Sequence, residues 1–186
     1  SAWSDDRLAV ALAEALAQAL DRLPPGEGAT HGPGGSVRRY PDRAAWLAEY
    51  LVARAQGQAQ GRWWFDALDG LASLPLSVAL RTLIQTEGDD AVAALARLEP
   101  SSAQPLFQAL NAADARRVAA LWQQRPTGAR VPLPALAAAA EPLAGAPLQH
   151  LLRAAVALQR DHPGTLDART LQLLAALADG QPATPA

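Results

Sequence analysis

Residues 75–126, PLSVALRTLIQTEGDDAVAALARLEPSSAQPLFQALNAADARRVAALWQQRP, decide the fold. Apolar side chains recur every three or four positions in four phrases: Leu76, Leu80, Leu83 and Ile84; Val92, Leu95 and Leu98; Leu106, Phe107 and Leu110; Val118, Leu121 and Trp122. That period places each set on one face of a helix. The punctuation between phrases is helical too. Pro75 suits a first turn, Gly88 a stop and Asp89 a cap. Pro100 closes the second phrase and Pro126 follows the fourth, while Ser101 with Gln104, and Asn111 with Asp114, stand at capping-box spacing. The pattern predicts short helices of about 9–14 residues joined by turns of about two to four, the grammar of antiparallel helical hairpins.

Working outward, the same grammar continues. Toward the N-terminus, Trp46, Leu47, Tyr50 and Leu51 mark a helix from Asp42 to about Gly57. Beyond a polar break at 58–61, Trp64, Leu68 and Leu71 fall on one side of a further helix that Gly70 would stop. Toward the C-terminus, a Pro-broken stretch (126–134) precedes a short Ala-rich helix near Leu136 that Pro142 cuts. A stronger helix through Leu148, Leu151, Leu152, Ala155 and Leu158 ends at His162-Pro163-Gly164. The last, through Leu171, Leu174 and Leu177, is capped by Thr165 or Asp167 and stopped at Gly180.

The N-terminal segment is the best defined. Ser4 suits an N-cap, Asp5 and Asp6 suit the positive end of the helix dipole, and Trp3 can staple onto Leu8. Leu8, Leu12, Leu16, Leu20 and Leu23 then line one face, and Pro24-Pro25 stops the helix. Residues 24–41 are rich in Pro and Gly and read as a linker. The expected organisation is therefore an amphipathic helix (1–23), the linker (24–41), a Trp-containing helical core (42–125), C-terminal helices (126–180) and a disordered tail (181–186). No fixed repeat period is present, so an irregular α-solenoid and a compact bundle of about eight to ten short antiparallel helices both fit.

Composition supports an all-α fold. Alanine makes up roughly a quarter of the 186 residues and favours helix while burying little area, so the core falls to Leu, Val and five Trp. β-Branched residues are few, with Ile84 the one Ile, which argues against sheet. Every basic residue is Arg, and Cys and Met are absent, a usage that suggests a GC-rich bacterial genome. The missing Met predicts a piece of a longer protein or a processed product.

Composition also narrows function. Without Cys there is no disulfide framework, thiolate zinc site or cysteine nucleophile. A net charge of −2 with interspersed signs gives no footprint for nucleic acid; Arg116, Arg117, Arg125 and Arg130 are the best such cluster. No apolar run reaches the roughly 18–20 residues a membrane span needs, and residues 71–84 are interrupted by Pro75 and Arg81. A cytoplasmic protein with no nucleic-acid and no membrane partner is expected.

Catalytic and metal chemistry is sparse. His31, His150 and His162 lack ligand partners at helical spacing, so no metal site or cofactor is expected. Gly32 to Arg39 has glycines and arginines that could wrap an anion, but lacks the spacing and preceding strand of a P-loop. Asp5-Asp6 and Asp89-Asp90 sit at helix starts, and Asp66 and Asp69 are expected in solvent. Ser73, Ser77 and Ser102 suit helix starts or the surface. No catalytic residue is assigned. The most distinctive feature is aromatic: of Trp63 and Trp64, about 100° apart on a helix, one should anchor the core with Trp46 and the other face a groove or partner.

The stretch AAWLAEYLVARAQGQAQGRWWFDAL from Ala44, followed by LRTLI, ALARLE and FQALNAADARRVAAL up to about Leu121, resembles the helical regions of tape-measure-type proteins of bacterial contractile injection systems. The resemblance covers less than half of the chain and turns on Trp63-Trp64; Gly61-Arg62 stands where a Leu-Pro dipeptide precedes the pair in that pattern. It implies a structural or assembly role without catalytic residues. The expected function is a helical scaffold or adaptor that binds a protein partner or a second copy through Leu8, Leu12, Leu16, Leu20, Trp63 and Trp64. The alternative is a small-molecule-binding bundle, a sensor or enzyme, with an apolar pocket lined by Trp46, Trp63 and Trp64.

Overall fold

A computed structural model describes residues 5–21 and 38–179, without the side chains at 5, 6 and 19–21. Among the described residues there are ten α-helices, two 3-10 segments and no strand, so the fold is all-α. The chain divides into two units, residues 1–43 and 44–186. The first contributes α1 (Asp5–Asp21), an Ala/Leu-rich helix of 17 residues. The cap and staple expected at Ser4 and Trp3, the end of the leucine row at Leu23, most of the 24–41 linker with His31, and the tail with Gly180 lie outside the described residues.

The second unit is built from α2 (Arg43–Ala55), which starts at the boundary, α3 (Asp69–Ala72), α4 (Leu76–Glu87), α5 (Asp89–Arg97), α6 (Pro100–Ala109), α7 (Ala112–Gln123), α8 (Leu133–Ala140), α9 (Leu148–Asp161) and α10 (Ala168–Ala178). The four phrases of 75–126 become α4, α5, α6 and α7. Their apolar faces are buried as the spacing requires: Leu80, Leu83, Ile84, Val92, Leu95, Leu106, Phe107, Val118 and Trp122 are all in the core.

Between the two architectures left open by the sequence, packing selects the bundle. In a solenoid each hairpin touches only its neighbours along the chain. Here α9 packs against α5, α6, α7, α8 and α10, and α4 packs against α7 as well as α5 and α6. Helix α9 is the hub because its Leu152, Ala155, Val156 and Leu158 are all buried. The contacts of α7 with α9 and α10 also make the C-terminal helices part of the same core as 44–125.

Several helix ends differ from expectation. Asp89 is the first residue of α5 and not its cap; Gly88 occupies that position at φ 52°, a conformation a side chain rarely adopts, and its N–H donates to Ile84 O. Ser101 and Gln104 form no capping box, because Pro100 already opens α6 and Glu99 is its cap residue. Pro has no N–H to satisfy, which makes it a cheap first residue. Gly70 does not stop a helix: residues 63–68 form a 3-10 turn that runs directly into α3, which contains Gly70.

Two caps form as read. Asn111 accepts from Asp114 N at 2.8 Å, and Asp167 accepts from Thr170 N at 2.8 Å. Asp167 also accepts from Gly128 N at 2.9 Å, so it fastens the α7–α8 connection to the start of α10. Nearby, Ala129 N donates to Gly164 O at 2.9 Å, and a Cβ on Gly128 would lie 1.9 Å from that carbonyl oxygen. Only glycine fits such an approach.

Candidate functional site

The six residues expected to bind a partner are divided between the two units. Leu8, Leu12 and Leu16 lie on α1 and are 59%, 69% and 59% exposed. Leu20 is on the same helix, with its side chain outside the described residues. An isolated helix of this length is marginal in water, and most helices are held by packing of their apolar face. In α1 the described leucines of that face are exposed.

Trp63 and Trp64 lie in the second unit, in the 3-10 turn Trp63–Leu68. A 3-10 helix has three residues per turn, so Phe65 and Leu68 share its inner side and both are buried. The expectation that Trp64, Leu68 and Leu71 share a face rested on α-helical period and is corrected by this tighter winding. Phe65 meets Tyr50 edge-on at 5.2 Å between centroids, with Trp46 at 6.2 Å and Trp64 at 5.8 Å. Trp46 Nε1 donates to Trp64 O at 2.8 Å, and the Arg62 guanidinium lies 5.7 Å from the Trp64 ring centre. Trp64 is thus half-buried against the core, while Trp63 is 52% exposed and borders an open hollow with Asp66, Asp69 and Ser73. Asp66 and Asp69 are exposed. The sequence missed Phe65 as the pivot of this cluster.

A larger apolar cavity lies elsewhere. Helices α5, α6, α8 and α9 together line a half-open groove of about 790 Å³. Leu95 and Phe107 form part of its lining, and Ala135, Ala138, Ala139, Ala154 and Ala157 keep its α8 and α9 walls low. It contains no tryptophan. Its rim carries His150, Arg153, Arg160, Asp161 and His162, so two of the three histidines border the same apolar surface. Their wide spacing in sequence concealed this, because the groove draws on four helices.

The most polar buried site is structural. Asp114 is 3% exposed and accepts from Ser77 Oγ at 2.6 Å and from Asn111 Nδ2 at 2.8 Å. Arg81 Nε lies 3.0 Å from its other oxygen, without the alignment of a hydrogen bond, and Arg117 is 3.5 Å away. The Ser77 hydrogen bond, foremost, holds the Asp114 carboxyl below its ordinary pKa; burial opposes this, and Asn111, Arg81 and Arg117 reinforce it. The group joins α4 to α7. Arg125, one of the arginines considered for nucleic acid, is committed in the same way: its Nε donates to Leu166 O at 3.0 Å and its NH1 pairs with Asp89.

Among the described residues, no three His, Asp or Glu side chains converge as a metal site, and no single helix is long and apolar enough to cross a membrane. Comparisons with family models, curated proteins and solved structures find no match for this chain.

Proposed function

We propose that this protein is a non-enzymatic helical adaptor that assembles with another polypeptide through its N-terminal helix. The observation that carries this reading is the solvated leucine row of α1, Leu8, Leu12 and Leu16. Burying a leucine side chain stabilises by about 1.5–3 kcal/mol, so three of them constitute a strong drive toward a partner. The polar positions of α1 include Asp5, Asp6, Glu14 and Asp21 against one Arg7, which disfavours an anionic membrane surface as that partner. Exposed Trp63 offers a second anchor of the kind that dominates interfaces. On the resemblance of residues 44–121 to tape-measure-type helices, we place the assembly in a bacterial contractile injection or phage-tail-like apparatus, in the cytoplasm.

The test compares the wild-type chain with Leu8→Glu/Leu12→Glu/Leu16→Glu by light scattering after size exclusion and by pull-down from the source cell. Loss of a wild-type complex, with an unchanged melting temperature for the core, supports the reading. Identical assembly by both chains overturns it.

A further inference from the structure

We infer that the groove lined by α5, α6, α8 and α9 binds a free single-chain carboxylic acid, with its tail along the alanine walls and its carboxylate on Arg153 and His150. Every residue this uses lies in the second unit, so it stands apart from the adaptor reading and from α1.

Size and lining come first. The groove's volume of about 790 Å³ falls in the range of about 300–1,000 Å³ that small-molecule sites occupy. Such sites join apolar walls to a few polar groups that fix orientation. Along α9 the lining face runs His150, Arg153, Ala154, Ala157 and Asp161, in helical steps of three and four residues. From His150 to Asp161 is about 16 Å at 1.5 Å per residue. A zigzag of about ten carbons, with C–C bonds of about 1.5 Å, fits that length.

The polar groups are distributed unequally along this face. At the C-terminal end of α9, where His162 also lies, Arg160 pairs with Asp161 at 3.1 Å, and Asp161 is the one carboxylate in the lining. At the other end Arg153 and His150 are half-buried, and neither side chain has a hydrogen bond or ion pair among the described residues. Between the two ends α9 offers Ala154 and Ala157. An uncompensated guanidinium therefore stands at one end of an apolar trough whose other guanidinium is already paired. A ligand with one anionic head and an apolar tail complements both features, because Arg takes a carboxylate through two parallel hydrogen bonds. An extended peptide would instead lay backbone N–H and C=O groups against alanine methyls.

The test is calorimetric titration of the full chain with decanoate, octanoate and decyltrimethylammonium, each below its micellar concentration. Decanoate should bind one per chain, about fourfold to fifteenfold tighter than octanoate for two methylenes at partial to full burial. Decyltrimethylammonium, with the same tail and the opposite charge, should bind at least tenfold more weakly than decanoate. Arg153→Gln should weaken decanoate at least about tenfold, as loss of a charge-assisted contact does, and Arg153→Lys should restore part of it. Arg116→Gln, an exposed guanidinium outside the groove, should change nothing.

Ala157→Phe and, on the exposed side of α8, Ala138→Phe fill the trough and should each abolish binding with the melting temperature held. Absence of decanoate binding by the wild-type chain overturns the proposal. So does binding of several molecules per chain that Arg153→Gln and both Phe variants leave intact. Arg153-dependent binding to phosphatidylglycerol vesicles without binding of free decanoate overturns it in favour of a membrane surface. Loss of decanoate binding in Leu8→Glu/Leu12→Glu/Leu16→Glu, with Arg153→Gln unaffected, moves the site to α1 and also overturns it.

Discussion

Ser77 and Asp114, 37 residues apart in sequence, are joined by a 2.6 Å hydrogen bond from the serine hydroxyl to the buried carboxylate. The same hydroxyl accepts from Asn111 N at 3.1 Å, and the carboxylate accepts from Asn111 Nδ2. Asp114→Ala therefore strands the Ser77 hydroxyl, the Asn111 amide and the half-buried Arg81 together. Removing one partner from a buried charged network costs about 3–5 kcal/mol. Ser77→Ala removes a single donor and should cost about 1–3 kcal/mol. Urea unfolding of both variants checks the order; equal, sub-kcal effects would mean the network is not holding α4 to α7.

The depressed pKa of Asp114 also fixes a pH dependence. Its folded-state value lies below its unfolded one, so the unfolded chain binds this proton first. The stabilisation is present in full above the ordinary carboxyl range near about 4 and is lost as pH falls through the lower folded value. Between neutrality and pH about 5 this group should contribute no slope. In acid, wild-type stability should decline more steeply than that of Asp114→Asn, which has no such proton to bind. Parallel acid limbs for the two proteins would contradict the assignment.

Glycine substitutions at two positions should act in opposite directions. At Gly128 the new Cβ would sit 1.9 Å from the Gly164 carbonyl oxygen, a backbone atom that cannot rotate aside. The Ala129–Gly164 hydrogen bond and the Asp167 contact with Gly128 N then have to shift, and Gly128→Ala should cost about 2 kcal/mol or more, within the range for loss of buried hydrogen bonds. Gly70 lies in α3 with nothing within 4 Å of its Cβ position. Gly70→Ala should stabilise by about 0.4–1 kcal/mol through reduced freedom of the unfolded chain. Thermal denaturation of the pair reads both signs.

The aromatic cluster separates folding from binding. Phe65 is 1% exposed and contacts Tyr50, Trp46 and Trp64, so Phe65→Ala should cost about 3–5 kcal/mol. Trp63 touches Trp64 edge-on at 5.8 Å but is otherwise at the surface. Trp63→Ala should change stability by no more than about 1.5 kcal/mol, the upper worth of an aromatic pair. A change as large as that for Phe65 would remove Trp63 from consideration as a docking residue.

How far the sequence discloses this molecule depends on the range of each interaction. Helix positions and most core faces follow from local period and punctuation, as Val92 and Leu95 or Leu152 and Ala155 show. The caps at Asn111 and Asp167 are also local, three residues from the amide they bind. What fails is what depends on winding or on distant chain. Residues 63–68 wind as a 3-10 turn, which moves the buried role from Trp64 to Phe65, and single-residue spacing could not distinguish the two periods. The pairing of Ser77 with Asp114, and the groove assembled from α5, α6, α8 and α9, require the tertiary arrangement. Glu99 as cap residue in place of Ser101 reflects Pro100, whose ring fixes the first helical φ and overrides a capping-box spacing one residue later.

The leucine row of α1 leads to a prediction that depends on concentration. A 17-residue helix with its apolar face in water sits near the margin of helix formation, whereas α9 is held from five sides by other helices. Amide exchange should therefore be fast across residues 8–18 in dilute solution and slow at Leu152 to Leu158, where opening requires unfolding of the core. If a partner surface on another chain covers Leu8, Leu12 and Leu16, exchange in α1 must slow as protein concentration rises, by mass action, while α9 stays unchanged. Hydrogen-exchange mass spectrometry across a hundredfold concentration range reads this on the unmodified protein. Protection of α1 that is strong and independent of concentration would place its cover within its own chain. Exchange that stays fast at every concentration would mean that the leucines have no partner in a second copy and must find one in a different protein.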